Sequence, residues 1–208
     1  MDNYAVQVAN KLIQAADQEI GRGNSAKVYV DSKFPSLCYK VIHNGRNVHT
    51  PEGEAKFLDE VNKLTNESVG TPNTEATFFF EYPESKDGER CSTLVMQRIY
   101  GMSLQEIINK QQFPEGAEPT SREDFSKLRK TFRNVREFIQ AMNKQLGIYH
   151  NDLYLRNVML DENWRWWVID FGEATKEHFQ QQVSNIDIET IKNTWNSFAE
   201  FTISYVDD

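Results

Sequence analysis

The sequence predicts an α+β fold with two lobes, a strand-rich first half and a mainly helical second half. In the first half, short apolar pieces separated by turn residues are typical of a meander of strands. After Tyr100 and Gly101 the apolar residues recur at helical spacing. A chain of 208 residues can form one substantial core or two small lobes. We therefore predict a first lobe over residues 1–99 and a second over residues 100–208.

Composition and charge indicate an ordinary globular chain. Hydrophobic residues make up 39% of it, charged residues 26%, and the formal net charge is -8. This charge disfavours a nonspecific nucleic-acid binder, which needs an excess of Lys and Arg to displace counterions from phosphates. Cys38 and Cys91 are too few for a disulfide framework, and the polar first residues lack the apolar stretch of a signal peptide. We expect a cytoplasmic chain whose partners include neither nucleic acid nor a membrane.

The elements of the first lobe follow from hydrophobic spacing and from helix-start residues. Apolar side chains at steps of three and four predict an amphipathic helix over residues 3–18, and three strands follow it. Thr50 as N-cap and Pro51 in the first helical position predict a helix over residues 51–65. Two further strands complete the predicted sheet, at residues 77–82 and 92–99.

The second lobe begins with a capping box formed by Ser103 and Glu106. Apolar residues at steps of three and four then predict a long helix that ends at Gly147, because glycine readily adopts the left-handed conformation that closes a helix. Two short strands and a final helix are predicted after it, at residues 158–160, 166–169 and 187–201.

The strongest signal in the chain lies between His150 and Gly172. His150 is followed by Asp152 and Asn157, and Asp170 then opens an Asp-Phe-Gly triplet. This spacing resembles the eukaryotic-like protein kinase superfamily, whose catalytic loop reads H-x-D-x-x-x-x-N and whose metal loop reads D-F-G. These identities at fixed spacing arise by chance on the order of once in a million such chains. The resemblance implies a two-lobed protein-kinase-like fold that forms a single domain.

The resemblance also implies ATP and Mg²⁺ as cofactors and assigns roles to these residues. Asp152 would accept the proton of the acceptor hydroxyl, while Asn157 and Asp170 would supply oxygen ligands to Mg²⁺. Phosphoryl transfer depends mainly on positioning and on charge neutralisation, because its transition state spreads negative charge over three oxygens. The spacing of the histidines fits no zinc pattern, so we expect His150 to be structural.

Residues upstream match the nucleotide-binding elements of the same superfamily in the same order. The glycine-rich loop is represented by Gly21, Gly23, Ser25 and Val28, with Ala26 in place of the third glycine. Small residues in such a loop let backbone N–H groups approach the phosphates.

Lys40 matches the strand lysine that holds the α- and β-phosphates in the superfamily. Its carboxylate partner is left open between Glu54, which we prefer, and Glu60, because each is followed four residues later by a leucine.

The segment LVMQRIYG resembles the superfamily's interlobe hinge. On this match Met96 gates the back of the adenine pocket, and backbone groups of Gln97 and Ile99 bind the adenine edge.

The chain also departs from the pattern of typical protein kinases. Asn151 stands where an arginine usually precedes the catalytic aspartate, so we do not expect regulation by a phosphorylated loop. Asp187 resembles the aspartate beneath the catalytic loop, although its position also suits an N-cap. Tyr154 replaces the lysine of Ser/Thr kinases, and Arg156 is similar to the arginine of tyrosine kinases. The shortened pattern resembles RIO-type kinases, the kinase of the KEOPS complex, and the aminoglycoside and choline phosphotransferases.

These observations predict an ATP- and Mg²⁺-dependent phosphotransferase. Our main hypothesis is transfer of the γ-phosphate to a protein hydroxyl, with a protein substrate or an activating protein partner, because the short second lobe leaves little surface for generic peptides. One alternative is a small-molecule kinase similar to aminoglycoside or choline kinases. Another is a nucleotide-binding pseudokinase scaffold, which the intact set of Lys40, Asp152, Asn157 and Asp170 disfavours.

Overall fold

The structure is a computed structural model that describes residues 18–23, 26–43, 50–81, 90–176 and 184–207. Apart from Gln18, which begins the first strand, the helix predicted over residues 3–18 lies outside these ranges. The chain divides into two compact units. The first comprises Met1–Asp59 and Pro72–Arg98, and the second comprises Glu60–Thr71 and Ile99–Asp208.

The described residues form eleven strands and four α-helices. The strands are β1 Gln18–Arg22, β2 Ala26–Val30, β3 Leu37–His43, β4 Val69–Gly70, β5 Thr74–Glu81, β6 Arg90–Gln97, β7 Gly101–Ser103, β8 Ile148–Tyr149, β9 Val158–Asp161, β10 Trp166–Val168 and β11 Thr175–Lys176. The helices are α1 Pro51–Val61, α2 Leu104–Lys110, α3 Arg122–Ala141 and α4 Ser184–Asp207.

The first unit is built on an antiparallel sheet with the strand order β1-β2-β3-β6-β5. β3 is the central strand, and its residues Tyr39, Val41 and Ile42 are buried. Lys40 pairs in register with Val28 of β2 and with Leu94 of β6. The sheet therefore holds Lys40 on its most protected strand.

Helix α1 begins where the sequence predicts, and it ends earlier. The Thr50 hydroxyl accepts a hydrogen bond from the Gly53 N–H at 3.2 Å, as expected of an N-cap. The α-helix stops at Val61 rather than residue 65, and a 3₁₀ turn, Asn62–Leu64, follows it. The turn closes with a bond from the Thr65 N–H to the Asn62 carbonyl, and this tighter i to i+3 pattern is common at helix ends.

The second unit contains a small sheet with the order β4-β10-β9-β7, in which β4 runs parallel to β10. This pairing is why Glu60–Thr71 belong to the second unit. Gly101 in β7 passes very close to β9, because a Cβ atom there would lie 2.4 Å from the Leu160 carbonyl oxygen. Any side chain at this position would separate the strands.

The helices of the second unit enclose an aromatic core. Ser103 and Glu106 form the predicted capping box at the start of α2. Helix α3 ends as an α-helix at Ala141, and a π-helical turn, Met142–Leu146, replaces the end of the longer predicted helix before Gly147 closes it with a φ of 65°. The core rings contact one another between α3, α4 and β10: Phe113, Phe132, Trp166, Trp195 and Phe198.

The final helix, α4, is longer than predicted at both ends, running from Ser184 to Asp207 rather than over residues 187–201. No helix among the described residues has the length and apolar character needed to cross a bilayer. The predicted α+β class, with a strand-rich first half and a mainly helical second half, is confirmed.

Candidate active site

A buried ion pair joins the central strand of the first unit to helix α1. The Lys40 Nζ atom lies 2.8 Å from both Oε1 and Oε2 of Glu54. Both side chains are nearly inaccessible, with 7% of the lysine and 2% of the glutamate side chain exposed. Burial of two charges is costly unless they are paired, so this pair holds the lysine ammonium in one place.

Glu60, the rival partner for Lys40, makes a different contact. Its Oε2 atom lies 2.6 Å from Nζ of Lys176 in the same unit, and both side chains are substantially exposed. In this structure Lys40 therefore pairs with Glu54 and not with Glu60.

The other nucleotide-binding candidates of the first unit lie on the strands around Lys40. Gly21 on β1 pairs with Val28 on β2, and the Gly23 N–H donates to the Ala26 carbonyl at 2.8 Å. Ser25 lies outside the described residues. The strands thus bring Gly21, Val28 and Lys40 onto neighbouring positions of one sheet.

The hinge candidates lie at the end of β6 and just after it. Met96 is buried, and it pairs with Cys38, whose thiol pKa is raised by burial to about 12. The Gln97 N–H donates to the Asn73 carbonyl at 2.8 Å. The Gln97 carbonyl accepts a long bond from the Cys38 thiol at 3.7 Å. Ile99 is half-buried and is assigned to the second unit.

The carboxylate of Asp152 is held by two neighbours within the second unit. Nη2 of Arg156 lies 2.6 Å from Oδ1 and 2.8 Å from Oδ2, and Nδ2 of Asn157 donates to Oδ2 at 2.7 Å. Asn157 also donates to the Asp152 backbone carbonyl at 2.8 Å. Arg156 in turn covers the ring of Tyr154 at 4.9 Å. The carboxylate therefore has a fixed orientation.

Asp170 is tied to the same loop through its neighbour Ile169. The Ile169 N–H donates to the Asn157 carbonyl at 3.0 Å, and the Ile169 carbonyl lies 2.9 Å from Nε2 of His150. Asp170 itself has a φ of 63°, and its carboxylate accepts from the Gly172 N–H at 3.4 Å. These bonds bring the catalytic-loop and metal-loop candidates together.

His150 is completely buried and supports the loop from below. Its Nδ1 atom accepts a bond from the Asp152 N–H at 3.3 Å, so the ring proton lies on Nε2 and is donated to Ile169. Burial lowers the pKa of the imidazole, although the nearby carboxylate of Asp187 acts in the opposite direction. A neutral imidazole bonded at both nitrogens has a structural role, as expected.

Asp187, which is also buried, fixes the backbone on which Asp152 stands. Its two oxygens accept the N–H groups of His150 at 2.7 Å and of Asn151 at 2.9 Å. The amide of Asn143, when its nitrogen faces the carboxylate, adds a bond of 3.3 Å. Helix α4 supplies a second support, because the Thr194 hydroxyl donates to the Leu153 carbonyl at 2.8 Å.

Asn151 has a contact that the sequence does not predict. Its φ of 63° is left-handed, a conformation that asparagine tolerates. Its Nδ2 atom donates to the Glu173 carbonyl at 2.9 Å and to the Thr175 hydroxyl at 3.0 Å. At the position where most protein kinases carry a phosphate-binding arginine, this chain binds the segment after Asp-Phe-Gly directly.

Sequence reasoning did not identify Asn143 or Thr194 as supports of the site. The available signal was a polar side chain within each helix's apolar stripe, and both residues are indeed buried. Buried polar groups of this kind are usually hydrogen-bonded, but the partner follows only from the tertiary structure.

The polar groups of the second unit fit the demands of a magnesium ion. Mg²⁺ prefers oxygen ligands, usually one or two carboxylates together with phosphate oxygens and water. Asp170 offers a carboxylate. Asn157 uses its amide nitrogen to bind Asp152, and this leaves its amide oxygen available as a neutral ligand. These two residues would hold the ion, which when bound would neutralise negative charge on the phosphates.

Comparison with known proteins gives the family and the fold. Residues 39–206 match the lipopolysaccharide kinase (Kdo/WaaP) family. A structure of WaaP in complex with acyl carrier protein is similar over 93% of this chain and 80% of its own, with a TM-score of 0.56 and 14% identity. The bifunctional kinase-methyltransferase WbdD matches over 81% of this chain and 34% of its own, with a TM-score of 0.45 and 15% identity. No curated protein matches the sequence.

These findings refine the sequence-based assignment. The kinase-like fold is confirmed, whereas the finer resemblance to RIO-type and KEOPS-complex kinases stays a prediction. The family match favours the small-molecule alternative over a protein hydroxyl as acceptor. With the match extending over most of its length, the chain belongs to the lipopolysaccharide kinase (Kdo/WaaP) family, whose members are phosphotransferases of the protein-kinase-like superfamily.

Proposed function

We propose that this chain transfers the γ-phosphate of ATP to a sugar hydroxyl of lipopolysaccharide, with Mg²⁺ as the metal ion. The observation that carries the proposal is the hydrogen-bonded assembly of the catalytic and metal loops in the second unit, where Asn157 binds Asp152 directly and joins Ile169 through its backbone. The acceptor class follows from the family to which the chain belongs.

In this proposal the site residues have separate roles in the reaction. Lys40, held by Glu54, binds phosphate oxygens, since a fixed ammonium neutralises their charge without reorganising. Asp152 accepts the proton of the attacking hydroxyl as the oxygen bonds to phosphorus. Arg156 and Asn157 keep the carboxylate of Asp152 oriented, so less conformational entropy is lost when it aligns with the attacking hydroxyl. Backbone groups of Gly21 and Gly23 approach the phosphates, and Met96, Gln97 and Ile99 bind the adenine.

A protein substrate or an activating protein partner stays a prediction from the sequence. This is the alternative, and the family match supports it less well than a sugar acceptor.

The proposal is tested by labelling delipidated lipopolysaccharide core oligosaccharide with γ-labelled ATP and Mg²⁺, in parallel with a Ser/Thr peptide library. We expect label in the oligosaccharide and little in the peptides. Preferential labelling of the peptides would show that the acceptor is a protein.

Two variants test the assigned roles in the same assay. Asp152→Asn should lower transfer by about 10²–10⁴-fold while ATP still binds, because the proton acceptor does not touch the phosphates in the ground state. Asp170→Ala should abolish turnover through loss of a metal ligand. Glu162→Gln, at an exposed carboxylate on the turn between β9 and β10, is the matched control and should behave as wild type. Wild-type turnover in Asp170→Ala would refute the proposal.

A further inference from the structure

A groove lined by cationic side chains lies between helices α3 and α4 of the second unit. Its volume is about 280 Å³, and its lining among the described residues contains no acidic side chain. We call it the cationic groove and define it by four side chains, three from α3 and one from α4: Arg129, Arg133, Arg136 and Lys192.

The four side chains of the cationic groove form no ion pair within the described part of the chain. Arg129, Arg133 and Arg136 follow one another at steps of four and three residues, so they share one face of α3. Like charges at this spacing destabilise a helix. All four side chains are exposed, and none forms a hydrogen bond or ion pair with another described residue. In a chain of net charge -8, this cluster forms a local positive surface suited to an anionic ligand.

The shape and chemistry of the cationic groove favour a phosphate-bearing head group. A guanidinium presents two parallel N–H donors that match the oxygens of a phosphate. Phe132 and Trp195 also line the groove, with their rings stacked at 4.5 Å. The half-buried Trp195 offers an amphipathic ring of the kind found where an apolar surface meets water. A groove of this volume with an aromatic wall suits a single head group better than an extended polyanion.

We propose that the cationic groove binds an anionic phospholipid head group and so holds this chain against an anionic membrane surface. The inference rests on the proposed function, because a lipopolysaccharide acceptor carries its own lipid. Surface binding of this kind needs no spanning helix. It revises the sequence-based expectation that no membrane is among the partners.

The charge distribution also fixes how the chain meets the surface. An anionic membrane repels a chain of net charge -8 as a whole. The repulsion is screened beyond about 10 Å at ordinary salt, whereas charges in contact are screened far less. Binding is therefore most favourable when the cationic groove faces the membrane, and rising salt weakens it.

The test is flotation of the whole chain, without nucleotide, with vesicles of phosphatidylcholine alone or mixed with phosphatidylglycerol. We expect flotation with the mixed vesicles only. The variant Arg129→Gln, Arg133→Gln, Arg136→Gln should bind the mixed vesicles on the order of 100-fold more weakly, because each cation near an anionic surface contributes about a fivefold factor. The single variant Lys192→Glu, on the other helix, should also bind more weakly.

The matched control removes the same charge elsewhere on the second unit. Arg122, Lys130 and Lys144 are exposed and do not line the groove. Their joint replacement by Gln should weaken flotation only slightly. Equal losses in the control and groove variants would overturn the proposal, since they would show a diffuse charge effect. Absence of wild-type flotation with the mixed vesicles would also overturn it.

Two further measurements separate the alternatives. The first is thermal unfolding with inorganic phosphate. If phosphate raises the thermal stability of the wild type but not of the groove variant, and the wild type does not float with the vesicles, the groove binds a soluble anion and the membrane proposal is wrong. Labelling of delipidated core oligosaccharide is measured in the same preparations. Flotation without labelling would refute the proposed function alone, and labelling without flotation would refute the membrane site alone.

Discussion

Removing one partner of the buried pair of Lys40 and Glu54 should lower the free energy of unfolding substantially. Replacing both partners by apolar residues should change it little. In the Lys40→Met variant, Glu54 keeps a buried carboxylate without its ammonium partner. Removing one partner of a buried pair typically costs about 3–5 kcal/mol of the free energy of unfolding. The variant combining Lys40→Met and Glu54→Leu leaves neither charge, so we expect it to lie within about 1–2 kcal/mol of the wild type.

The exposed pair of Lys176 and Glu60 provides the matched control. Its N to O distance, 2.6 Å, is shorter than that of the buried pair, yet half of the lysine side chain is exposed. Lys176→Met should therefore cost at most about 1 kcal/mol. Urea unfolding gives these free energies, and ATP binding is measured on the same samples.

Stability and activity should separate in this series. The double variant should be stable and inactive, because the proposed role of Lys40 is to bind phosphate rather than to stabilise the fold. Two results would refute the reasoning: a loss below about 1 kcal/mol for Lys40→Met, or phosphoryl transfer by the double variant.

Three further predictions concern the support of the catalytic loop. Asp187→Ala leaves two buried N–H groups without an acceptor, so urea unfolding should show a loss of about 3–5 kcal/mol, against almost none for the exposed Glu189→Ala on the same helix. Because burial lowers the pKa of His150, only the unfolded chain gains its proton below the ordinary value of 6.5. The free energy of unfolding should therefore fall by up to about 1.4 kcal/mol per pH unit below that value. The fall should be smaller in His150→Asn. An equal pH dependence in the wild type and the variant would contradict a buried, neutral His150. Asn151→Gly should lose only the side-chain bonds, whereas Asn151→Ala should cost about 1 kcal/mol more in unfolding measurements, because alanine disfavours the left-handed backbone.

Local patterns in the sequence predicted most of the fold. Elements that bury one face leave a periodic signal, as α1 and α3 do. Thr50 marks where α1 begins, and Gly147 closes the π-helical turn that follows α3. Strand β4 could not be predicted in this way, because it has two residues and forms a parallel pair with β10, nearly a hundred residues later. The π-helical turn after Ala141 also escaped prediction, since a single inserted residue alters the helical repeat without changing composition.

In the candidate site too, some residues could be predicted from the sequence and others only from the tertiary structure. The motif spacing identified Asp152, Asn157 and Asp170, whose roles stay predictions. The contacts that hold them come from residues far away in sequence, such as Asp187 and Thr194, and these depend on how α4 packs. Arg156 lies between the two cases: its spacing of four residues from Asp152 permits a contact, but only the structure shows that the guanidinium binds that carboxylate.

The dependence of the catalytic loop on helix α4 has a consequence for the order in which the chain acquires structure during synthesis. The His150 N–H binds a carboxylate that lies 37 residues later in the chain. A ribosome that has just released the loop has therefore not yet released the helix that orders it. Until α4 emerges and docks, the amides of His150 and Asn151 lack this acceptor, so we expect them to exchange with solvent. Protection of these two amides from hydrogen exchange, measured by pulse labelling of stalled nascent chains, would show at what chain length the catalytic loop becomes ordered.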